Sequence, residues 1–253
     1  MEIRINKEKN IGNVLFVVEG AKTEFSILKK IFVDILGYSY IEKRRGKESR
    51  YINQNNPNSC VAVINTANSN MTSISAEDGF LDTMFKRLVE EYKYPIDRAA
   101  IYFIFDRDPE SNRDTETIKE YIQTLQNPYD NPNEIRAGQL LLNYPSVEAF
   151  TVSNFENDSW KIKVGLGKEL KNYVSNHPYI QLNKISENTL EQATSEFYKY
   201  VRTFDENVDI DDFSDVSMRI FDFEETNYEE TQTYNLFSML TLAFLQLGII
   251  EVD

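Results

Sequence analysis

The first candidates for chemistry are acids placed where an apolar run stops. Val14-Leu15-Phe16-Val17-Val18 halts at Glu19-Gly20, and Ala99-Ala100-Ile101-Tyr102-Phe103-Ile104-Phe105 halts at Asp106-Arg107-Asp108. Short apolar runs rich in β-branched and aromatic residues suit strands buried on both faces of a parallel sheet. In an open α/β sheet, ligands bind in the crevice beyond the carboxyl ends of such strands. Alternation along an extended chain points residues 106, 108 and 110 the same way, so Asp106, Asp108 and Glu110 could face Glu19 together. Carboxylates crowded into one crevice repel and take up protons unless a cation neutralises them. The economical occupant is a hard, oxygen-seeking divalent ion, Mg²⁺ before Mn²⁺, with waters and substrate phosphate oxygens completing its shell. The plainer alternative is that these acids cap the following helices or face solvent.

Those acids need a frame to hold them. After the first strand, Thr23-Glu24 offers helix-starting chemistry, and Phe25, Leu28, Ile31, Phe32, Ile35 and Leu36 recur at helical spacing until Gly37. Residues 40–59 are rich in Lys, Arg, Asn and Pro and read as a long loop or insertion. A second strand is expected at 60–64, and a second helix at 79–92 with Phe80, Leu81, Met84, Phe85, Leu88 and Val89 on one face. A third strand follows at 99–105, a third helix at 115–125, a loop at 127–133 and a further strand at 139–143. Past about Ser153 the strand-helix alternation stops. Helical segments are expected at 167–175 and 190–204, with an apolar closing helix near 234–247. Residues 205–230 are densely acidic, with Phe213, Phe221, Phe223 and Tyr228 spaced through them. The expected class is therefore α/β. A roughly four-stranded, largely parallel sheet between helices occupies 1–153, and a mainly helical lobe occupies 154–253 and packs on it.

Composition narrows the function. The chain has 253 residues, 27 Lys+Arg against 41 Asp+Glu, and a formal net charge of −14. That balance argues against a protein that coats nucleic acid through overall charge. One dense positive stretch stands against it: Lys43, Arg44, Arg45, Lys47 and Arg50, beside Tyr40 and Tyr51. Either it holds phosphates while the tyrosines stack on unpaired bases, or it is a solvated loop. The 205–230 segment is either a solvated surface over buried aromatics or a partner-binding, autoinhibitory element that occupies the basic loop. A single cysteine, Cys60, permits no intramolecular disulfide and no multi-Cys zinc site, and reads as a small core residue. The single histidine, His177, precedes Pro178 in a polar turn and reads as an ordinary loop residue. No Gly-x-Ser-x-Gly surrounds any serine, and the phosphate-binding and dinucleotide-binding glycine motifs are absent, so the chain carries no evident ATPase of its own. Residues 1–10 alternate charged and apolar types, and no run of about 18 apolar residues occurs, so a cytoplasmic protein with no membrane association is the expectation.

The segment Val18-Glu19-Gly20-Ala21-Lys22-Thr23-Glu24, followed downstream by Phe105-Asp106-Arg107-Asp108, resembles the Toprim domain. That domain pairs a strand-end Glu with a later Asp-x-Asp in a metal-dependent phosphodiester site. Together with Asn143-Tyr144-Pro145-Ser146-Val147-Glu148-Ala149-Phe150, the pattern looks most like the RloB-like and OLD-type Toprim nucleases of bacterial defence loci. The resemblance covers roughly 13–153, and nothing in 155–253 matches it. It implies a Mg²⁺- or Mn²⁺-dependent nuclease acting on RNA such as tRNA, or on DNA, in anti-phage defence, with a separate ATPase as a candidate partner. By the same resemblance, Glu19 is metal-bound or a general acid/base, Asp106 and Asp108 are the metal pair, Glu148 supports the site and Glu110 is a third acid. Lys22 would sit in the first turn of the helix after Glu19, where its ammonium and backbone N–H groups could both meet a phosphate. The rival reading is a non-catalytic regulator or scaffold of the same fold that binds a metal, a nucleotide or a partner protein.

Overall fold

Both apolar runs form strands. The computed structural model describes residues 1–44, 48–66, 71, 80–91, 93–129 and 138–253. Its first half runs β1 (Ile3–Ile5), β2 (Asn13–Val18), α1 (Thr23–Lys29), β3 (Ser39–Arg44), β4 (Glu48–Ile52), β5 (Cys60–Asn65), α2 (Phe80–Glu90), β6 (Ala99–Asp106) and α3 (Thr115–Thr124). It continues with β7 (Gln126–Asn127), β8 (Gly138–Tyr144), α4 (Glu148–Ser153), β9 (Lys163–Val164), α5 (Gly167–Asn176) and α6 (Glu187–Val201). The chain closes with α7 (Ser214–Thr231), β10 (Tyr234–Asn235), β11 (Phe237–Ser238), α8 (Leu240–Gln246) and β12 (Ile250–Val252). The class is α/β: a mixed central sheet, parallel at its middle, flanked by helices, with a helical carboxyl-terminal region. Of the loop expected at 127–133, residues 130–133 lie outside the described residues.

Two compact units divide the chain, each built from separated stretches. A strand-rich unit comprises Asn10–Phe105 and Glu116–Leu140, and a carboxyl-terminal unit comprises Met1–Lys9, Asp106–Thr115 and Leu141–Asp253.

In the strand-rich unit the strand order is β6-β2-β5-β4-β3. β2 pairs parallel with both neighbours, Val14 lying opposite Val61 and Ala100. Its residues Val14 to Val18 are completely buried, which is why every one of them is apolar. Phe16 stacks on Tyr102 at 5.5 Å and tilts against Phe32 at 5.9 Å. Burying such a side chain stabilises by roughly 1.5–3 kcal/mol. α1 buries Ile27 and Leu28, a π-helical stretch over Lys30–Ile35 continues it and buries Ile31 and Phe32, and Gly37 ends the pattern at φ 74°.

The loop expected over 40–59 is corrected: most of it is the β3–β4 hairpin. β4 pairs antiparallel with β5, Tyr51 opposite Val61, and with β3, Tyr40 opposite Tyr51. The Lys and Arg content that suggested a loop is the composition of an edge strand, where cations discourage pairing with another chain. One face still buries its aromatics, as Tyr51 lies between Phe32 and Tyr40.

In the carboxyl-terminal unit β1 pairs antiparallel with β12, β9 with β10, and β11 with the end of β8. α4 and α5 pack around Ala149, Val152, Val164, Leu170, Ile180 and Leu236. α6 opens on a capping box in which Ser186 and Thr189 exchange side-chain bonds. The 205–230 segment is not simply a solvated stretch. Most of it is α7, whose inner face carries Val216, Ser217, Ile220, Phe221 and Glu224 while Asp215, Asp222, Glu229 and Glu230 face outward. A glutamate on the buried face and aromatics on both faces blur the periodicity that would announce this helix. The closing helix is shorter than expected, since β10 and β11 occupy 234–238.

Candidate functional site

The end of β6 belongs to the carboxyl-terminal unit and is held by residues far away in sequence. The Arg107 amide donates to the Asn143 carbonyl at 2.8 Å. An oxygen of Asp106 accepts the Val147 N–H at 2.8 Å, and the Asn112 side-chain amide donates to the Asp106 carbonyl at 2.7 Å. Asp108 uses one oxygen for the Glu110 N–H at 2.9 Å and the other for the Gly167 N–H at 3.0 Å. Gly167 must be glycine for this approach: a Cβ there would lie 2.7 Å from the Asp108 oxygen and 3.3 Å from Ser146 Cβ. Glu148, the first residue of α4 and 8% exposed, accepts the Ser146 hydroxyl at 2.8 Å. Asp106, Asp108 and Glu148 are thus gathered around the 146–148 segment through Val147, Gly167 and Ser146.

Glu110 departs from the expected alternation. The chain turns at Asp108, whose carbonyl accepts the Ser111 and Asn112 amides, so residue 110 no longer continues the strand. Its carboxylate pairs instead with Lys168 at 2.9 Å, both groups being more than half exposed. Gly167 and Lys168 lie where the sequence pattern offered no motif. A glycine and a lysine opening a helix after a Gly-Leu pair was the only available signal, and it is too common to read alone.

Arg107 points the other way. Its side chain is 3% exposed, and the guanidinium makes a two-pronged bond to Glu225, 2.8 Å from Nε and 2.6 Å from one terminal nitrogen. The other terminal nitrogen donates to the Asn112 carbonyl at 2.6 Å. The rings of Phe221 and Tyr234 lie 6.0 and 5.9 Å from its centre. Burial disfavours the charge, and the Glu225 carboxylate together with Tyr234 and Tyr144 more than restores it, so the guanidinium is held above its ordinary value. The neighbouring Glu224 has no such cation bonded to it. It is completely buried, accepts the Tyr200 hydroxyl and the Asn235 N–H, and burial pushes its carboxyl up to about 6.

The end of β2 belongs to the strand-rich unit. Glu19 is 8% exposed, and its amide donates to the Ile104 carbonyl at 3.1 Å. The Gly20 N–H is taken by the Glu24 carboxylate at 2.8 Å. In the turn where Lys22 is expected to meet a phosphate, α1's own acid thus answers the Gly20 amide, and the exposed Lys22 stands just before the helix as its cap residue. Of the basic stretch, Lys43 and Arg44 lie on β3, while Arg45 and Lys47 lie outside the described residues. Arg50, on β4, is half-buried. Its guanidinium sits 5.7 Å from the Tyr94 ring and 3.9 Å from the Cys60 sulfur, so it is turned inward. Tyr51 is buried and so not open to stack on a base, whereas Tyr40 is partly exposed and shares a 2.8 Å bond with Ser49. Cys60 is buried with a free thiol that burial pushes up, and His177 stacks on Tyr173 at 4.1 Å.

Comparison with protein-family models, curated proteins and solved structures finds no match.

The case for an ion therefore rests on donor chemistry. Each Asp108 oxygen carries two acceptor sites and gives one of them to the Glu110 or the Gly167 amide, so the carboxylate retains capacity toward a cation. Hard oxygen donors fit Mg²⁺ or Mn²⁺, which are commonly held by one or two carboxylates plus waters. Among the described residues no three His, Cys, Asp or Glu side chains converge as a ready ligand group. The fit is to a lightly held ion rather than to a closed cage. Among the described residues, too, no helix is long and apolar enough to cross a membrane.

Proposed function

We propose that the chain is a Mg²⁺- or Mn²⁺-dependent nuclease that hydrolyses phosphodiester bonds in RNA such as tRNA, or in DNA, in bacterial anti-phage defence. The observation that carries this reading is the Asp106-Arg107-Asp108 strand end. Arg107 is buried away between two carboxylates, and Glu148 follows the very segment whose Val147 amide bonds Asp106. Asp106 and Asp108 would hold the ion, with Glu148 and Ser146 beside them. A bound divalent ion supplies phosphodiester polarisation and a water of lowered pKa. Glu19 is assigned to the reaction as metal ligand or general acid/base by the sequence resemblance. The defence setting and a separate ATPase partner rest on that resemblance too. Lys168, next to Gly167 and exposed, is the cation on the Asp108 side that could meet a phosphate.

The test uses purified protein with Mg²⁺ or Mn²⁺ and a panel of single-stranded, duplex and structured nucleic acids, tRNA included. Asp106→Asn and Glu19→Gln are each expected to lower cleavage by at least about 100-fold, since even outer-shell partners of metal ligands cost 10–100-fold. Cleavage that survives both substitutions would sink the assignment. One observation favours a second reading: both Asp108 oxygens already serve backbone amides, and among the described residues no three-ligand group is preformed. Metal binding without turnover on any substrate would make the chain a regulator or scaffold.

A further inference from the structure

The residue between the two aspartates ties their strand to the acidic helix α7. Side chains alternate along an extended segment, so fixing Arg107 on one side fixes the directions of Asp106 and Asp108 on the other. Arg107 is fixed thoroughly. A planar fork meeting a carboxylate two-on-two sets rotation as well as distance, which a single point contact does not. The third contact, to the Asn112 carbonyl, closes a ring, because the Asn112 side chain returns to the Asp106 carbonyl. Phe221 and Tyr234 flank the guanidinium, keeping the pair in a poorly solvated place where its bonds are strong and their loss is costly.

We infer that Glu225 is a positioning residue for Asp106 and Asp108 and acts through Arg107. The inference rests on the proposed metal role of those aspartates. Without Glu225 the guanidinium is buried and uncompensated. Its relief is to swing toward water, and in an extended segment that turns the peptide planes carrying both carboxylates. The acidic region that reads in sequence as a solvated surface or an autoinhibitory plug thereby becomes a brace. Its outward acids are incidental to the site, and one inward acid holds it.

The experiment uses the full chain and Mn²⁺ alone as probe. Mn²⁺ affinity is followed by calorimetry and by the electron paramagnetic resonance of the free ion, at a temperature where melting curves show each variant folded. Glu225→Gln is expected to weaken Mn²⁺ binding 10–100-fold, the usual penalty for losing an outer-shell support. In cleavage assays it should lower kcat and leave KM for nucleic acid unchanged. Glu225→Asp, which keeps a carboxylate, should recover most of the affinity, whereas Arg107→Lys, which cannot form the fork, should resemble Glu225→Gln. Should Glu225→Gln fail to fold, the pair Arg107→Met with Glu225→Met replaces the ion pair by apolar volume, an exchange often neutral for stability. The folded double variant is expected to bind Mn²⁺ as weakly as Glu225→Gln. If Glu225→Gln, or the double variant, binds Mn²⁺ like wild type while Asp106→Asn does not, the positioning role is overturned and the metal site stands. If Asp106→Asn itself binds and cleaves like wild type, the metal reading falls and the inference falls with it.

Discussion

The ends of β2 and β6 carry the same sequence sign, an apolar run stopped by acid, and they are completed in opposite ways. Beyond β2, the Gly20 amide is answered by Glu24, four residues on and within the adjoining helix. Beyond β6, the partners come from Asn143, Val147, Gly167 and Glu225, the last of them 118 positions away. At the first end the turn amide after Glu19 is answered locally; the second is assembled by distant parts of the chain. An end assembled from afar is the one whose geometry distant residues can tune, and the one that a single distant substitution can spoil.

The largest effect should therefore come from α7. Glu225→Ala leaves the buried Arg107 guanidinium without its carboxylate, a situation that typically costs about 3–5 kcal/mol. Urea unfolding followed through Trp160 fluorescence measures it. A loss under about 1 kcal/mol would mean that the β6 end is not braced by α7. Next comes Gly167→Ala. The new Cβ would stand 2.7 Å from an Asp108 oxygen that cannot easily retreat, because the carboxylate is short and already anchored by two backbone amides. Overpacking of this kind costs roughly 1–3 kcal/mol, and the upper half of that range is expected. Mn²⁺ affinity should fall in the same variant, and an unchanged affinity would separate the α5 start from the site.

Glu224 and Glu225 sharpen the contrast within one helix, since one is paired with a cation and the other is buried among neutral partners. Glu224 holds its proton more tightly folded, at about 6, than at its ordinary 4.5. The folded state therefore binds more protons than the unfolded state between those values. Stability falls as pH rises through that window, by about 2 kcal/mol at 1.36 kcal/mol per pKa unit. Glu224→Gln keeps an oxygen for the Asn235 amide and carries no charge, so it should lose this fall. Urea midpoints from pH 4 to 7 for wild type and variant test it; curves that stay parallel across pH 4.5–6 would contradict the assignment.

What was legible in the sequence follows the same division. β2, β5 and β6 are near-continuous apolar runs because they are buried on both faces, and α1 shows its period until Gly37, so these were readable from local pattern. The β3–β4 hairpin was hidden because Lys, Arg and Ser interrupt the apolar run in strands at the margin of the sheet. α7 was hidden because Glu224 interrupts its apolar stripe. At the candidate site, Asp106, Asp108 and Glu148 could be singled out as strand-end or motif acids, while Arg107, Gly167, Lys168 and Glu225 could not. Each of these acquires its role only from a partner in a distant segment, and no spacing rule connects residue 107 with residue 225. The Glu24 bond to Gly20 was within reach of local reasoning, since an acid in the first helical turn is drawn to the amides preceding it.

That local bond sets the smallest effect. Gly20→Ala places a Cβ 2.8 to 2.9 Å from the two Glu24 oxygens, a contact on paper as close as the one at Gly167. The neighbour here is the far end of a longer side chain, bonded to the very amide that moves with the substituted residue, so Glu24 can swing aside. The bond to the Gly20 amide that would loosen is worth about 0.5–1.5 kcal/mol. Replacing glycine also makes the unfolded chain less flexible, which returns about 0.4–1 kcal/mol where the backbone is compatible. Gly20 is not among the positive-φ positions, so alanine meets no left-handed strain there. The net change should stay within about 1 kcal/mol, and melting of Gly20→Ala beside Gly167→Ala reads the difference directly. Equal losses in the two variants would show that distance to the nearest oxygen governs both ends, and that local or distant origin of the partner makes no difference.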